Sequence, residues 1–246
     1  MLRNIYYVVF SSDIRKRIWD MRQKIKFELK IKLEFILKYE RYPYKRYCDQ
    51  HRCIFIHIPK NAGTSIITLL NKNTFIEQEH NTYWDYFRSD YERFILYEKF
   101  CVIRNPWDRL LSAYQYLREG GNKGSDKYLV DVIKNECKDF NDFVMNWLTF
   151  DKIYNIKVLN PQFMYIYDLQ NEKLMVDNIL RFEHLWSDFS VIQKKLGIIN
   201  DLPMINNSQH KQYNKYYTQE MIDIVAKFYN IDIKLFEYKF GEEYDS

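Results

Sequence analysis

The sequence predicts an α/β protein with a central, mainly parallel sheet and helices on its faces. Strand-like apolar runs alternate with helix-like segments along the chain, an order typical of parallel sheets. The chain has 246 residues, 47% of them hydrophobic, which is enough for one large domain with a buried core. The six Gly and five Pro are too few for repeats or long linkers. No apolar run approaches the length of a membrane-spanning helix.

The first 50 residues are expected to form a basic arm, followed by one α/β domain over 51–246. Between residues 13 and 46, twelve Lys and Arg accompany five Asp and Glu, a net charge of +7, which leaves −3 for all other residues. Residues 25–35 alternate as in a strand, but the apolar residues upstream have helical spacing: Ile14, Ile18, Met21 and Ile25. We predict a helix from about Asp13. It either packs as a solvated arm or makes a peripheral contact with an anionic membrane. Nucleic acid is not an expected partner, because the folded body lacks the basic excess.

The body begins with a buried strand over residues 53–58, followed by a loop from Pro59 to Gly63 and a helix to Leu70. A second strand over 99–104 ends at Asn105-Pro106, an N-cap with Pro at the first helical position, and a helix follows to about Arg118. Further along, we predict strands over 163–167 and 175–183 and helices over 140–150, 186–196 and 218–229. Ligands are expected at the carboxyl ends of the parallel strands.

The loop between the first strand and its helix has the features of an anion site. Backbone N–H groups and a positive dipole end face a ligand there. Gly63 permits close approach of the backbone, Thr64 and Ser65 add hydroxyl donors, and Lys60 adds a full charge. The Lys precedes the Gly, unlike in a Walker A loop, and no strong acidic strand end for magnesium follows. The pattern therefore points to an anion transferred without a metal.

The second strand ends in a further anion-binding pattern. Arg104 at its carboxyl end can place two donors on a phosphate. Ser112 lies about two turns into the following helix and reaches the same group if that helix leans over the site.

These two segments resemble the 5′-phosphosulfate loop (P-K-x-x-x-T-S) and the 3′-phosphate element (R-x-P-x-x-R-x-x-S) of sulfotransferases that use 3′-phosphoadenosine 5′-phosphosulfate (PAPS). The likeness is to the carbohydrate enzymes of the sulfotransferase family 2 type, which include bacterial members. It extends over residues 52–240 through three further motifs: H-x-T at 80–82, R-F-E-x-L at 181–185 and L-P-x-x-N-x-S at 202–208, where Met204 replaces the usual His.

The resemblance implies a P-loop-like three-layer α/β/α fold and PAPS as the donor, with no metal. Lys60 would neutralise the leaving 5′-phosphate, and residues 61–65 would cradle it: Asn61, Ala62, Gly63, Thr64 and Ser65. Arg104 and Ser112 would grip the 3′-phosphate, while Asn206 and Ser208 would cover the nucleotide. The expected reaction moves a sulfuryl group to a hydroxyl of a glycan, such as a bacterial surface saccharide or its precursor.

His80 is the candidate base, since imidazole titrates near neutral pH. His57 and Glu79 are alternatives, and an ordinary loop histidine is the structural alternative for His80. Residues of the expected acceptor platform are His57, Trp84 and Gln162, with Tyr86, Phe87 and Trp147 as further aromatic candidates that are equally well explained as core.

The four cysteines form no C-x2-C pair, which favours reduced thiols and a cytoplasmic protein, peripheral at most to the inner membrane surface. The alternatives to a sulfotransferase are a nucleotide-dependent phosphotransferase and a catalytically inactive nucleotide- or glycan-binding module.

Overall fold

A computed structural model describes residues 12–37, 41–72, 79–121, 126–200, 202 and 212–242. Its central sheet has three strands, β1 (Cys53–Ile56), β2 (Glu98–Ile103) and β5 (Asn178–Arg181), in the order β1-β2-β5. Both pairings are parallel, with Phe55 opposite Phe100 and Cys101 opposite Ile179. The α/β fold with a parallel central sheet is thus confirmed. A short antiparallel pair, β3 (Tyr167–Asp168) and β4 (Lys173–Leu174), lies outside this sheet.

Helices fill most of the remaining described chain. They are α1 (Ser12–Ile36), α2 (Arg46–His51), α3 (Gly63–Leu70), α4 (Tyr83–Ser89), α5 (Tyr91–Leu96), α6 (Pro106–Arg118), α7 (Lys127–Glu136), α8 (Phe140–Asp142), α9 (Phe150–Asn155), α10 (Phe163–Ile166), α11 (Leu185–Leu196), α12 (Gln219–Phe228) and α13 (Asn230–Leu235). A π-helical turn (Phe143–Trp147) extends α8, and 3₁₀ turns cover Phe182–His184 and Tyr213–Tyr216.

Side-chain caps determine where several of these helices begin. The Asn105 side chain accepts from Trp107 N at the start of α6, as the Asn-Pro pair predicts. Thr82 and Asp85 form a reciprocal capping box on α4. Such caps stabilise a helix by about 1 kcal/mol each.

Two predicted elements differ from the structure in kind or continuity, and the strand predicted over 175–183 is shortened to β5. Residues 163–166 form helix α10 instead of a strand, because the Asp232 carboxylate on α13 accepts from both Gln162 N and Phe163 N, 2.7 and 2.8 Å away. The distant acid satisfies N–H groups at the start of that helix. The predicted helix over 140–150 ends at Trp147, and Thr149 caps a new helix by accepting from Lys152 N.

The basic segment forms one helix, as predicted, and packs on the body. Phe27 and Ile31 of α1 are buried. Glu28 pairs with Arg52, and Glu34 pairs with the buried Arg93. The division of the chain at residue 50 stays a prediction. No helix of the described residues is sufficiently long and apolar to cross a membrane.

Candidate active site

The two predicted anion loops meet at the carboxyl edge of β1 and β2. Arg104 follows β2, and its Nη1 donates to the carbonyl oxygen of Lys60 at 3.0 Å. Its Nε donates to the carboxylate of Asp108 at 2.7 Å, and its guanidinium lies 4.0 Å from the centre of the Phe182 ring. These contacts fix the orientation of the guanidinium and join the second loop to the first.

The first loop owes its shape to two left-handed residues that are not glycine. Lys60 has φ 69° and Ala62 has φ 57°, each at a cost of about 1 kcal/mol. They reverse the chain so that α3 starts at Gly63, directly after the loop. The first turn of a helix has N–H groups without acceptors in that helix, and the dipole is positive at this end. The loop therefore presents the features that bind an anion.

Glycine is required at position 63 because the His57 ring lies close to its backbone. A left-handed φ is not the reason, because Gly63 does not have one. A Cβ at this position would lie 1.9 Å from Cδ2 and Nε2 of His57. The imidazole ring thus occupies the place of a side chain at residue 63. His57 is 6% exposed, and burial, with His80 and Lys60 nearby, lowers its pKa well below the usual value.

Lys60 and helix α6 face each other. Lys60 Nζ lies 4.1 Å from the centre of the Tyr116 ring. Arg109, 2% exposed, donates through Nε to the Pro59 carbonyl at 3.0 Å. Ser112 is buried between these two contacts on the same face of α6, since residues 109, 112 and 116 have helical spacing. The helix therefore leans over the loop.

Gln162 bridges the two loops. Its Oε1 accepts from Asn61 Nδ2 at 2.7 Å and from Arg104 N at 2.9 Å, and its Nε2 donates to the Arg104 carbonyl at 2.9 Å. Asn61 also donates to Val102 O, while its own Oδ1 is buried with no hydrogen-bond partner. Gln162 has no exposed surface, so it holds the loops together and does not line an acceptor platform, unlike the sequence expectation.

His80 lies beside His57, with ring centres 4.3 Å apart. His80 Nδ1 is 3.1 Å from the His57 carbonyl oxygen. Because a carbonyl only accepts, this contact assigns the proton to Nδ1 and leaves Nε2 unprotonated in the neutral ring. Burial lowers the His80 pKa, and Lys157 and Arg109 add to this effect. The ring is thus neutral near pH 7 and able to accept a proton at Nε2.

Glu79 and the aromatic candidates have different places. Glu79 forms an ion pair with Lys45 and accepts from Asn81, contacts that keep its pKa below the usual value despite burial. Trp84 is 51% exposed and stacks on Phe87, with ring centres 5.4 Å apart. Tyr86 and Trp147 are buried core residues. Among the aromatic candidates for an acceptor platform, Trp84 therefore offers the most open face.

The remaining predicted donor residues fall into two groups. Ala62, Thr64 and Ser65 follow one another along the loop and the first turn of α3, with Ser65 buried. Asn206 and Ser208 lie outside the described residues.

Comparison with known proteins agrees with this geometry. The sulfotransferase family model matches residues 45–239, which include both loops. The chain belongs to the sulfotransferase family. An uncharacterized protein from Archaeoglobus fulgidus is 34% identical over 121 residues, which cover 48% of this chain and 84% of the relative. No solved structure matches the chain.

Positively charged side chains outnumber carboxylates around the two loops. Lys60 lies over an aromatic ring, Arg109 donates to carbonyl groups, and Arg104 pairs with Asp108. Burial, together with the nearby positive charge of Arg104, lowers the Lys60 pKa to about 8. Cations thus exceed carboxylates in the described contacts of the loops, and a bound anion would relieve the imbalance. In the described part of the chain, no group of three His, Cys, Asp or Glu side chains is placed to hold a metal ion.

Sequence reasoning missed several residues that shape this site. Asp108 follows Arg104 by four positions at the start of α6, and Tyr116 follows Ser112 by four within it, so helical periodicity could have found both. Phe182 and Asp232 reach the site through tertiary contacts. Phe182 belongs to the R-F-E-x-L motif, but that motif does not predict its ring contact with Arg104, and no sequence signal links Asp232 to the site.

Proposed function

We propose that this sulfotransferase moves a sulfuryl group from PAPS to a hydroxyl of a glycan. The observation that carries the proposal is the bond from Arg104 to the Lys60 carbonyl, which brings the cations of the two anion loops together. A donor with phosphate at both its 3′ and 5′ positions requires two such sites within one nucleotide.

Most donor contacts in this proposal use described residues. Lys60 faces the 5′-phosphosulfate, and the N–H groups of residues 61–65 surround the 5′-phosphate. Arg104 and Ser112 bind the 3′-phosphate, which separates PAPS from nucleotides that lack it. Asn206 and Ser208, which lie outside the described residues, cover the nucleotide in this proposal.

The proposed transfer joins the acceptor oxygen to sulfur while the bond from sulfur to the 5′-phosphate oxygen breaks. His80 Nε2 takes the acceptor proton, because Nδ1 already carries one toward the His57 carbonyl. Adenosine 3′,5′-bisphosphate leaves, and Lys60 balances the charge that develops on it. His57 keeps His80 in place by ring contact and through its carbonyl.

The proposed acceptor is a surface saccharide or its lipid-linked precursor, on the cytoplasmic side of an anionic membrane. The open face of Trp84 supports a sugar, because aromatic rings stack on sugar C–H surfaces. All four cysteines are buried free thiols, as expected for a protein of a reducing compartment.

The test is transfer of labelled sulfate from PAPS to a panel of soluble and lipid-linked saccharides, without added metal. The proposal expects label in a saccharide and equal release of adenosine 3′,5′-bisphosphate. Transfer of labelled phosphate from ATP–magnesium would establish a phosphotransferase instead. Donor binding without transfer to any hydroxyl acceptor would indicate an inactive binding module.

A further inference from the structure

Helix α1 has one face against the body and another toward solvent. Phe27 and Ile31 are 3% and 6% exposed. The opposite face, continued by the first residue after the helix, carries five large apolar side chains, each more than half exposed: Met21, Ile25, Leu29, Leu33 and Leu37. Their four-residue spacing traces a stripe along one side of the helix. This outer stripe is separate from the residues that attach α1 to the body.

Basic residues accompany the outer stripe. Arg22, Lys26 and Lys32 are exposed, and at about 100° per residue they lie within about 60° of Leu29 around the helix axis. The acidic side chains lie elsewhere: Glu28 and Glu34 pair with Arg52 and Arg93 of the body. Asp20, nine residues before Leu29, is on the opposite side by the same spacing. The outer face of α1, meaning the apolar stripe with these three cations, is therefore apolar and positive.

We propose that the outer face of α1 binds the surface of an anionic lipid bilayer. Apolar side chains enter the boundary between headgroups and acyl chains, and the Lys and Arg side chains extend to the anionic headgroups. A second copy of the chain is a poor partner, because pairing two such faces would bring cations against cations. The charge of the face thus selects lipid over self-association.

The geometry favours a helix that lies in the interface plane. The 25 residues of α1 span about 37 Å, and the inner side remains fixed to the body by Phe27 and Ile31. An interfacial helix of this kind buries its apolar face by about 5–10 Å. The inference deepens the proposed function, on which it rests only for the identity of the acceptor: a lipid-linked saccharide would lie at the same surface.

The test is co-flotation of the full chain with vesicles of phosphatidylcholine, with and without phosphatidylglycerol. We expect binding to the anionic vesicles, weakened by salt. The triple variant Arg22→Gln/Lys26→Gln/Lys32→Gln should bind about 100-fold more weakly, since each basic residue near such a surface contributes severalfold. The control Lys134→Gln/Lys173→Gln/Lys215→Gln removes the same charge from exposed positions of the body and should leave binding within about twofold of the parent, since charges far from the surface are screened.

A second variant, Ile25→Gln/Leu29→Gln, removes apolar area but keeps the charge and helix propensity. Its affinity should decrease by the same factor for vesicles with and without phosphatidylglycerol. Failure of the parent to bind anionic vesicles, or equal loss in the body control, would overturn the proposal. A parent protein that is a dimer in sedimentation, and that this variant makes monomeric, would also overturn the proposal. In that case a second copy of the chain would cover the face. Binding of adenosine 3′,5′-bisphosphate, measured on the same preparations, tests the donor site separately: its loss counts against the proposed function and not against this surface.

Discussion

Lys60 combines a strained backbone with a perturbed side chain. Its φ of 69° directs the carbonyl to Arg104, while its Nζ lies over Tyr116. The Lys60 pKa of about 8, lowered by burial and by Arg104, means that the free enzyme loses this charge as the pH rises through about 8. If Lys60 balances the leaving phosphate, kcat/KM falls above that pH.

Replacing Lys60 tests this role. Lys60→Ala should lower kcat by about 100-fold and change the Kd of adenosine 3′,5′-bisphosphate much less. Lys60→Arg keeps its charge at all accessible pH values, so the decline above about pH 8 should disappear. Steady-state kinetics across pH measure both effects. An unchanged kcat in Lys60→Ala would remove this residue from the mechanism.

Arg104 has a different role, in donor recognition. Arg104→Ala should weaken binding of adenosine 3′,5′-bisphosphate by about 10- to 100-fold, since a hydrogen bond to a charged group contributes about 1.5–3 kcal/mol. Binding of 5′-AMP should change little, because it lacks the 3′-phosphate. Arg88→Ala, at an exposed arginine of α4, is the matched control in the same calorimetric titration. Equal weakening of both nucleotides would assign Arg104 a structural role.

At the scale of elements, the β1–α3 connection depends on a glycine that packs against a ring. Gly63→Ala puts a Cβ onto His57 and should destabilise the protein by about 1–3 kcal/mol. His57→Ala removes the ring. The double variant should therefore be only slightly less stable than His57→Ala alone. Chemical denaturation of the two single variants and the double variant measures this coupling. If the stability losses of the two single variants simply add in the double variant, the loss in Gly63→Ala does not come from contact with the His57 ring.

The junction of α10 and α13 predicts a pH dependence of stability. Burial raises the Asp232 pKa to about 6, despite the hydrogen bonds that its carboxylate accepts from Gln162 N and Phe163 N. An acid whose folded pKa exceeds its unfolded value binds more protons when folded, so its contribution to the free energy of unfolding decreases as pH rises from about 4 to 6. The decrease is on the order of 3 kcal/mol. Denaturation of the parent and of Asp232→Asn should show this slope only in the parent, and an equal slope in both would assign it to other groups.

The elements near the sheet were predictable because their signals are local. Buried runs mark β1 and β2, and Asn105-Pro106 marks the start of α6. Residues 163–166 were misassigned because an acid 70 positions away along the chain completes α10. Local periodicity contains no information about such a partner, so tertiary contacts decide the structure there.

At the scale of the whole molecule, the site was predictable in its residue types but not in its connections. The spacing of Lys60, Arg104 and Ser112 pointed to two anion loops. The link between the loops goes through Gln162, which sequence reasoning assigned to the acceptor. Burial explains the difference: a fully enclosed amide must satisfy its hydrogen bonds inside the protein.

The arm and the body also form one packed unit in the structure. Tyr44, Tyr47 and Cys48 belong to the core of the body, although they precede residue 50. The buried Arg93 of α5 accordingly pairs with both Glu34 of α1 and Asp49 of α2. Helix α1 therefore supports the body on one face and presents its basic, apolar face to the surroundings.

The central claim is that the two joined loops bind a nucleotide through its 3′- and 5′-phosphates. Calorimetric titration with adenosine 3′,5′-bisphosphate, compared with 5′-AMP and with ATP–magnesium, tests it most directly. The account predicts tight binding that requires the 3′-phosphate and no added metal. A preference for ATP–magnesium, or no binding of the bisphosphate, would contradict it.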